Sequence, residues 1–167
     1  MQRQLAGGDA ILVRPMERSQ AEETSRVFQS VLSAVPYYNE RAKSAERLKY
    51  TSVRLQELTA ADPESVLVAS IDTQVVGYCF NERDDELLWL SWFGVHLDFR
   101  KRGVGQKLLD AFEDRARSMR SHKVWCDTRT NNSESISVLM RQGFQPLCTA
   151  RNHWYGQDFI LWEKPIT

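Results

Sequence analysis

Arg100, Lys101 and Arg102 stand side by side, and Gly103 and Gly105 follow at once, in the stretch FRKRGVG. From 100 to 105 the pattern is R-x-x-G-x-G, with a strand-like run before it and a helix-like run after it. A helix N-terminus carries unpaired N–H groups and a partial positive charge, so it holds an anion without further help. Glycine lets that anion reach the backbone because no Cβ intervenes. Arginine and lysine add charge-assisted contacts. The chemistry on offer is therefore phosphate binding. Two other cradles fail: Leu108 stands where the dinucleotide pattern G-x-G-x-x-G needs its last glycine, and no G-x-x-x-x-G-K-[ST] occurs. A tight turn bearing solvated cations is the plainer alternative.

Hydrophobic spacing predicts the elements that would carry this stretch. AILVRPME at 10–17 reads as a short strand, which Pro15 confines to a sheet edge or to the strand's end. Residues 19–34 read as a helix with Val27, Phe28, Val31 and Leu32 on one side, and Ser19 with Glu22 could cap it. Pro36 interrupts. A second helix runs over about 40–58, with Leu48, Val53, Leu55 and Leu58 among its apolar residues. SVLVASI and QVVGYCFN read as a hairpin around DTQ. ELLWLSWFGVHLDF suits a central strand buried on both faces, with Gly94 marking a bulge or a close backbone approach.

Residues 104–120 give the clearest helix, through Val104, Leu108, Leu109, Phe112, Ala116 and Met119. KVWCDTRT is a strand, SESISVLMRQGF a helix closed by Gly143, and FQPLCTA and DFILWEK two antiparallel strands. The order β-α-α-β-β-β-α-β-α-β-β is a mixed α/β pattern. With no linker or repeat, residues 1–167 read as one domain.

VHLDFRKRGVGQKLL resembles the signature of the GNAT superfamily of N-acetyltransferases, [Q/R]-x-x-G-x-[G/A] with its V-x-x-x-[FY] lead-in. NSESISVLMRQGF resembles a second family pattern, N-x-x-A-x-x-L-Y-x-x-x-G-F. It keeps Asn132, Gly143 and Phe144, with Ser135 for Ala and Val138 for Leu. The element order is also that family's, so the resemblance spans nearly the whole chain. It implies a mixed sheet of about six to seven strands flanked by about four helices, with two central parallel strands splayed apart.

The resemblance implies acetyl-CoA as co-substrate, lying between ELLWLSWFGVH and KVWCDTRT. The backbone around Phe93, Val95 and Leu97 would pair with the pantetheine arm like an added strand. Gly94 would supply the family's strand bulge. The amides from Arg100 through Lys101, Arg102, Gly103, Val104 and Gly105 to Gln106 would hold the pyrophosphate. Asn132 would touch the arm. An N–H near Val95 would stabilise the tetrahedral oxyanion.

Acetyl transfer to an amine needs the amine neutral. At pH 7 that costs about 4–5 kcal/mol for a lysine-like amine and about 1–1.4 kcal/mol for an α-amine. The family's usual tyrosine acid would fall at Leu139, and the central-strand glutamate of histone-acetylating members near Trp89, so neither role carries over. Asp127 does match: in members resembling ribosomal-protein N-terminal acetyltransferases, a carboxylate sits five residues before the motif Asn. Tyr155 falls in the turn region bordering the acceptor site of similar proteins and is the second catalytic candidate. His153 is a further possible base, and His96 reads as structural. Tyr37, Tyr38, Trp92 and Trp154 are candidates for an acceptor channel, where aromatic faces would favour an ammonium.

Lys plus Arg and Asp plus Glu are equal at 22 each, so charge suggests no nucleic-acid or membrane-surface partner. Cys79, Cys126 and Cys148 lack metal-ligand spacing and read as buried or half-buried reduced thiols, with no metal expected. No signal peptide and no apolar run long enough for a membrane helix is evident. The expectation is a soluble, cytoplasmic protein, and family members are often homodimers. The leading reading is transfer to a primary amine of a small molecule. A peptide or protein N-terminus comes second and a histone-type lysine after it. A catalytically weak CoA-binding regulatory module, and a different phosphate-ligand enzyme on an α/β scaffold, are the competing classes.

Overall fold

The computed structural model describes residues 10–167. The signal-peptide expectation rests on residues 1–9 and lies outside that range. Seven strands form one sheet: β1 (Ile11–Pro15), β2 (Val66–Ile71), β3 (Gln74–Asp84), β4 (Leu87–Val95), β5 (Lys123–Arg129), β6 (Gln145–Ala150) and β7 (Phe159–Pro165). Their order is β1-β2-β3-β4-β5-β7-β6, so β7 lies between β5 and β6. Every neighbouring pair is antiparallel except β4 and β5. β1 is an edge strand, where Pro15 removes no needed donor.

Five helices cover the sheet: α1 (Ala21–Ala34), α2 (Glu40–Lys49), α3 (Ser52–Ala61), α4 (Val104–Ser118) and α5 (Ser133–Arg141). The helix expected over 40–58 is two. Tyr50 leaves helical geometry, and the side chain of Thr51 then caps α3 by accepting from Arg54 N at 3.3 Å. Ser19 does not cap α1. It lies inside a 3-10 turn, Arg18–Gln20, whose Gln20 Oε1 accepts from Glu17 N at 2.9 Å. Leu48 and Val53 are exposed, whereas Leu55 is buried. The buried face of α2 is Ala42, Lys43 and Glu46, mostly polar, which apolar spacing does not reveal.

Two cores lie on opposite faces of the sheet. α4 packs Val104, Leu108, Leu109, Phe112 and Ala116 against Leu88, Leu90, Val124 and Cys126. α1 packs Val27, Phe28, Val31 and Leu32 against Tyr78 and Phe80. Each buried aliphatic or aromatic side chain contributes about 1.5–3 kcal/mol. β4 is not buried on both faces as its composition suggests: Leu88 and Leu90 face the α4 core, while the other residues of the strand are only half-buried. Cys79 and Cys126 are buried, and Cys148 is exposed on the outer strand β6. Among the described residues no helix is long and apolar enough to cross a membrane.

Candidate active site

β4 and β5 pair at only three positions, Leu88–Val124, Trp89–Trp125 and Leu90–Cys126. The register of β3 against β4 then slips. Phe80 faces Trp92 and Asn81 faces Leu90, which leaves Ser91 as the bulged residue. Past Ser91 the two parallel strands separate, and the β5-facing edge of Trp92–Val95 has no strand partner. The bulge is therefore at Ser91 and not at Gly94. Gly94 serves the other role glycine can play in a strand: a Cβ there would lie 2.4 Å from Tyr78 Oη, so the close approach is by a tyrosine side chain from β3.

A cavity of about 1300 Å³ fills the gap. Its cationic end is the turn before α4. Lys101 (φ 60°) and Gly103 (φ 84°) adopt left-handed conformations, and α4 begins at Val104. Such a turn, leading into a helix start, points backbone N–H groups inward. A Cβ at Gly105 would meet only Val95 Cγ2, at 3.7 Å, so no protein contact demands glycine there. Arg100 reaches across the mouth, its Nε 3.4 Å from Val95 O and its Nη1 3.3 Å from Glu134. Lys101 and Gln106 line the cavity, Gln106 also donating to Asp110 at 2.9 Å.

Three expected cofactor residues stand differently. Leu97 lies in a 3-10 turn beyond β4 and is 48% exposed; Phe93 and Val95 line the cavity, and Leu97 does not. The Arg102 guanidinium packs 5.2 Å over the Phe99 ring, off the cavity wall. Asn132 lines the cavity, but its side chain caps α5: Oδ1 accepts from Ser135 N at 3.1 Å and Nδ2 donates to Ser135 Oγ at 2.9 Å. One amide hydrogen is left for another partner.

The opposite end is acidic and aromatic. Glu46, on the buried face of α2, accepts from Trp92 Nε1 at 2.9 Å, from Tyr155 Oη at 2.8 Å and from Lys49 Nζ at 2.7 Å. Asp127 on β5 lines the same chamber. Burial, reinforced by the Glu46 carboxylate and opposed by Lys49, pushes Asp127 up to about 7. Burial and then Asp127 raise Tyr38 well above the usual phenol value. Tyr38 packs on Trp92 with centroids 5.2 Å apart and on Tyr37 at 5.4 Å. Burial lowers the Lys49 ammonium's pKa, but the bonds to Glu46 and Tyr155 outweigh it and hold the proton on.

Tyr155 has φ 58°, and its loop is latched to the α1–α2 connection, with Asn39 Nδ2 donating to Tyr155 O at 3.0 Å. His153 and Trp154 reach the cavity, while His96 instead caps a turn, its Nδ1 accepting from Asp98 N at 3.2 Å. Leu139, where the family tyrosine would stand, is buried in the α4 core and contacts the cavity wall.

Sequence reasoning missed Glu46 and Lys49. They sit in NERAKSAERLKY, which reads as an ordinary solvated helix. The one available signal is the polar i, i+3 pair falling on the same side as Ala42.

The sequence model of the acetyltransferase (GNAT) family matches residues 29–144. Ard1 from Thermoplasma volcanium superposes with a TM-score of 0.78 at 24% identity, covering 95% of this chain and 99% of that one. PaiA N-acetyltransferase from Thermoplasma acidophilum, in complex with coenzyme A, gives 0.78 at 18%, covering 93% and 99%. A GNAT-family acetyltransferase from Streptococcus pneumoniae gives 0.81 at 16%, covering 95% and 100%. These likenesses are of fold. No curated protein matches the chain in sequence.

Proposed function

The chain belongs to the acetyltransferase (GNAT) family, and on that premise we propose that it moves the acetyl group of acetyl-CoA onto the primary amine of a small molecule, by direct attack on the thioester. The observation carrying this reading is a single cavity that joins the cationic start of α4 to the carboxylates Asp127 and Glu46. A cationic end and an acidic end of one gap suit anion binding and amine binding respectively. The complex of a structural neighbour with coenzyme A supports the choice of co-substrate.

The amides around Gly103, Val104, Gly105 and Gln106 hold the pyrophosphate, with Arg100 and Lys101 adding charge. The free edge of β4 at Phe93 and Val95 takes the pantetheine arm as an added strand. An N–H on that edge stabilises the oxyanion of the tetrahedral intermediate.

At the other end, Trp92, Tyr38 and the carboxylates draw in the ammonium form of the acceptor. Asp127, with its pKa near 7, takes one proton from it. The neutral nitrogen attacks the carbonyl carbon and the C–S bond breaks. Tyr155 keeps its hydroxyl proton, because burial and Glu46 both raise its pKa. It supplies that proton to the leaving thiolate and regains one from the nitrogen as the amide forms.

The test is thiol release from acetyl-CoA across small amines and peptides with free N-termini, alongside calorimetric CoA binding. Small-amine turnover supports the proposal. Turnover of peptide N-termini alone replaces the acceptor class. CoA binding without turnover of any amine points to a regulatory module, and no CoA binding overturns the reading.

A further inference from the structure

The cavity continues past Asp127. Two residues earlier on the same face of β5 stands Trp125, whose register partner on β4 is Trp89. Their indoles meet edge to face, with centroids 4.7 Å apart at 81°. Trp154, from the loop between β6 and β7, closes on Trp89 at 6.4 Å. Glu82 is the cross-strand partner of Trp89, so both rise from one face of the sheet. Asp84 follows on that face. All five side chains line the cavity.

Three tryptophans gathered in one place usually mean core. Here they are not core: Trp89 and Trp125 are half-buried and Trp154 is 41% exposed. Neither Glu82 nor Asp84 forms an ion pair among the described residues. Arg83, the basic residue between them, also borders the cavity, but its guanidinium charge is paired with Asp62, at 3.6 Å. Indole faces beside unpaired carboxylates attract an ammonium and repel an anion.

Resting on the acceptor site proposed at Asp127, we infer that this lower chamber is a second cation subsite and that the acceptor is an elongated aliphatic diamine. Its near amine meets Asp127. Its far ammonium lies among Glu82, Asp84 and the indole faces, and its methylene spacer packs on Trp125 and Trp89. Asp127 and Glu82 stand two residues along and two strands across the sheet, roughly 12 Å apart at the backbone, a span that a short alkyl diamine bridges once each ammonium lies a hydrogen bond inside its carboxylate. A monoamine of equal length would set a methyl group against the carboxylates and gain nothing from them. An amino acid would set its carboxylate there and be repelled.

Cadaverine and n-hexylamine, matched in length, are titrated calorimetrically into the protein saturated with CoA, and thiol release is followed in parallel with acetyl-CoA. The diamine should bind about tenfold tighter. Glu82→Gln and Trp154→Ala, both at exposed positions, should each weaken the diamine more than the monoamine and shrink that preference several-fold. Equal affinities, no binding of either amine, or a preference that survives both substitutions would overturn the subsite. Preferential diamine binding without any acetylation would uphold the subsite and overturn the transfer reaction instead.

Discussion

The indole N–H of Trp92 donates to Glu46 Oε2 at 2.9 Å, tying helix α2 to strand β4 one residue past its bulge. The other carboxylate oxygen accepts from Tyr155, which brings the loop between β6 and β7 to the same point. Three segments distant in sequence thus meet on one buried carboxylate. They frame the chamber where an amine would approach the gap between β4 and β5.

Glu46→Gln keeps an acceptor for Trp92 and removes the charge. Steady-state kinetics should show the KM for a cationic amine rising about tenfold, the loss of one charged contact. CoA affinity should hold, because the phosphate end is untouched. Glu46→Ala also leaves the Trp92 donor without a partner and should lower stability by about 1–3 kcal/mol in denaturant titrations.

Asp127 must be ionised to take a proton, so kcat/KM should fall below pH 7 with an apparent pKa near that of Asp127, about 7. Asp127→Asn should remove that acid limb together with most of the activity. Stability follows with the opposite preference. The folded pKa lies above the unfolded value, so the favourable contribution is complete below about pH 4 and is lost as pH rises through about 7. The Asn variant should therefore melt higher than the parent at pH 8, with roughly 4 kcal/mol as the upper bound. An unchanged or lower melting midpoint at that pH would contradict the burial argument.

Gly105→Trp should abolish CoA binding while leaving the fold intact, since a Cβ at that position makes only an ordinary van der Waals contact, 3.7 Å from Val95 Cγ2. Gly103→Ala acts differently. Its left-handed φ of 84° would cost about 1–2 kcal/mol for any Cβ-bearing residue, and thermal melts should show that loss. Calorimetry and melting together separate access from strain.

Gly94→Ala should be the most destabilising of these changes, because the new methyl would meet Tyr78 Oη at 2.4 Å and Cζ at 2.6 Å. About 3 kcal/mol or more is expected, the upper end of overpacking costs. Tyr78→Phe alone should be neutral or stabilising, since the Tyr78 hydroxyl is buried without a partner. Combining the two should recover only part of the loss, as the ring carbon still clashes.

The cationic end of the site is written in consecutive residues. FRKRGVG followed by the spacing of Val104, Leu108 and Leu109 contains both the proposed anion cradle and the helix that presents it. The strand order and the separation of β4 from β5 follow from the family pattern carried by Asn132, Gly143 and Phe144. The bulge did not follow in the same way. Gly94 marks it in sequence, whereas the register slip occurs at Ser91, and Gly94 makes room for the Tyr78 side chain instead.

Local periodicity also left α2 unresolved. It reports which residues are apolar, and the inward face of that helix is polar because it borders a cavity and not a core. Asp127 was visible by position. Its elevated pKa was not, because it depends first on burial in the folded gap and then on Glu46 lying across it, some eighty residues away along the chain. The sequence alone determined the basic, glycine-bearing turn before α4, the family and the sheet, since those rest on neighbouring residues and on hydrophobic period. Tertiary structure alone decided the acidic, aromatic end of the cavity proposed as the acceptor chamber, since its charges and indoles come from α2, β3, β4, β5 and the last loop, and act on one another only at folded distances.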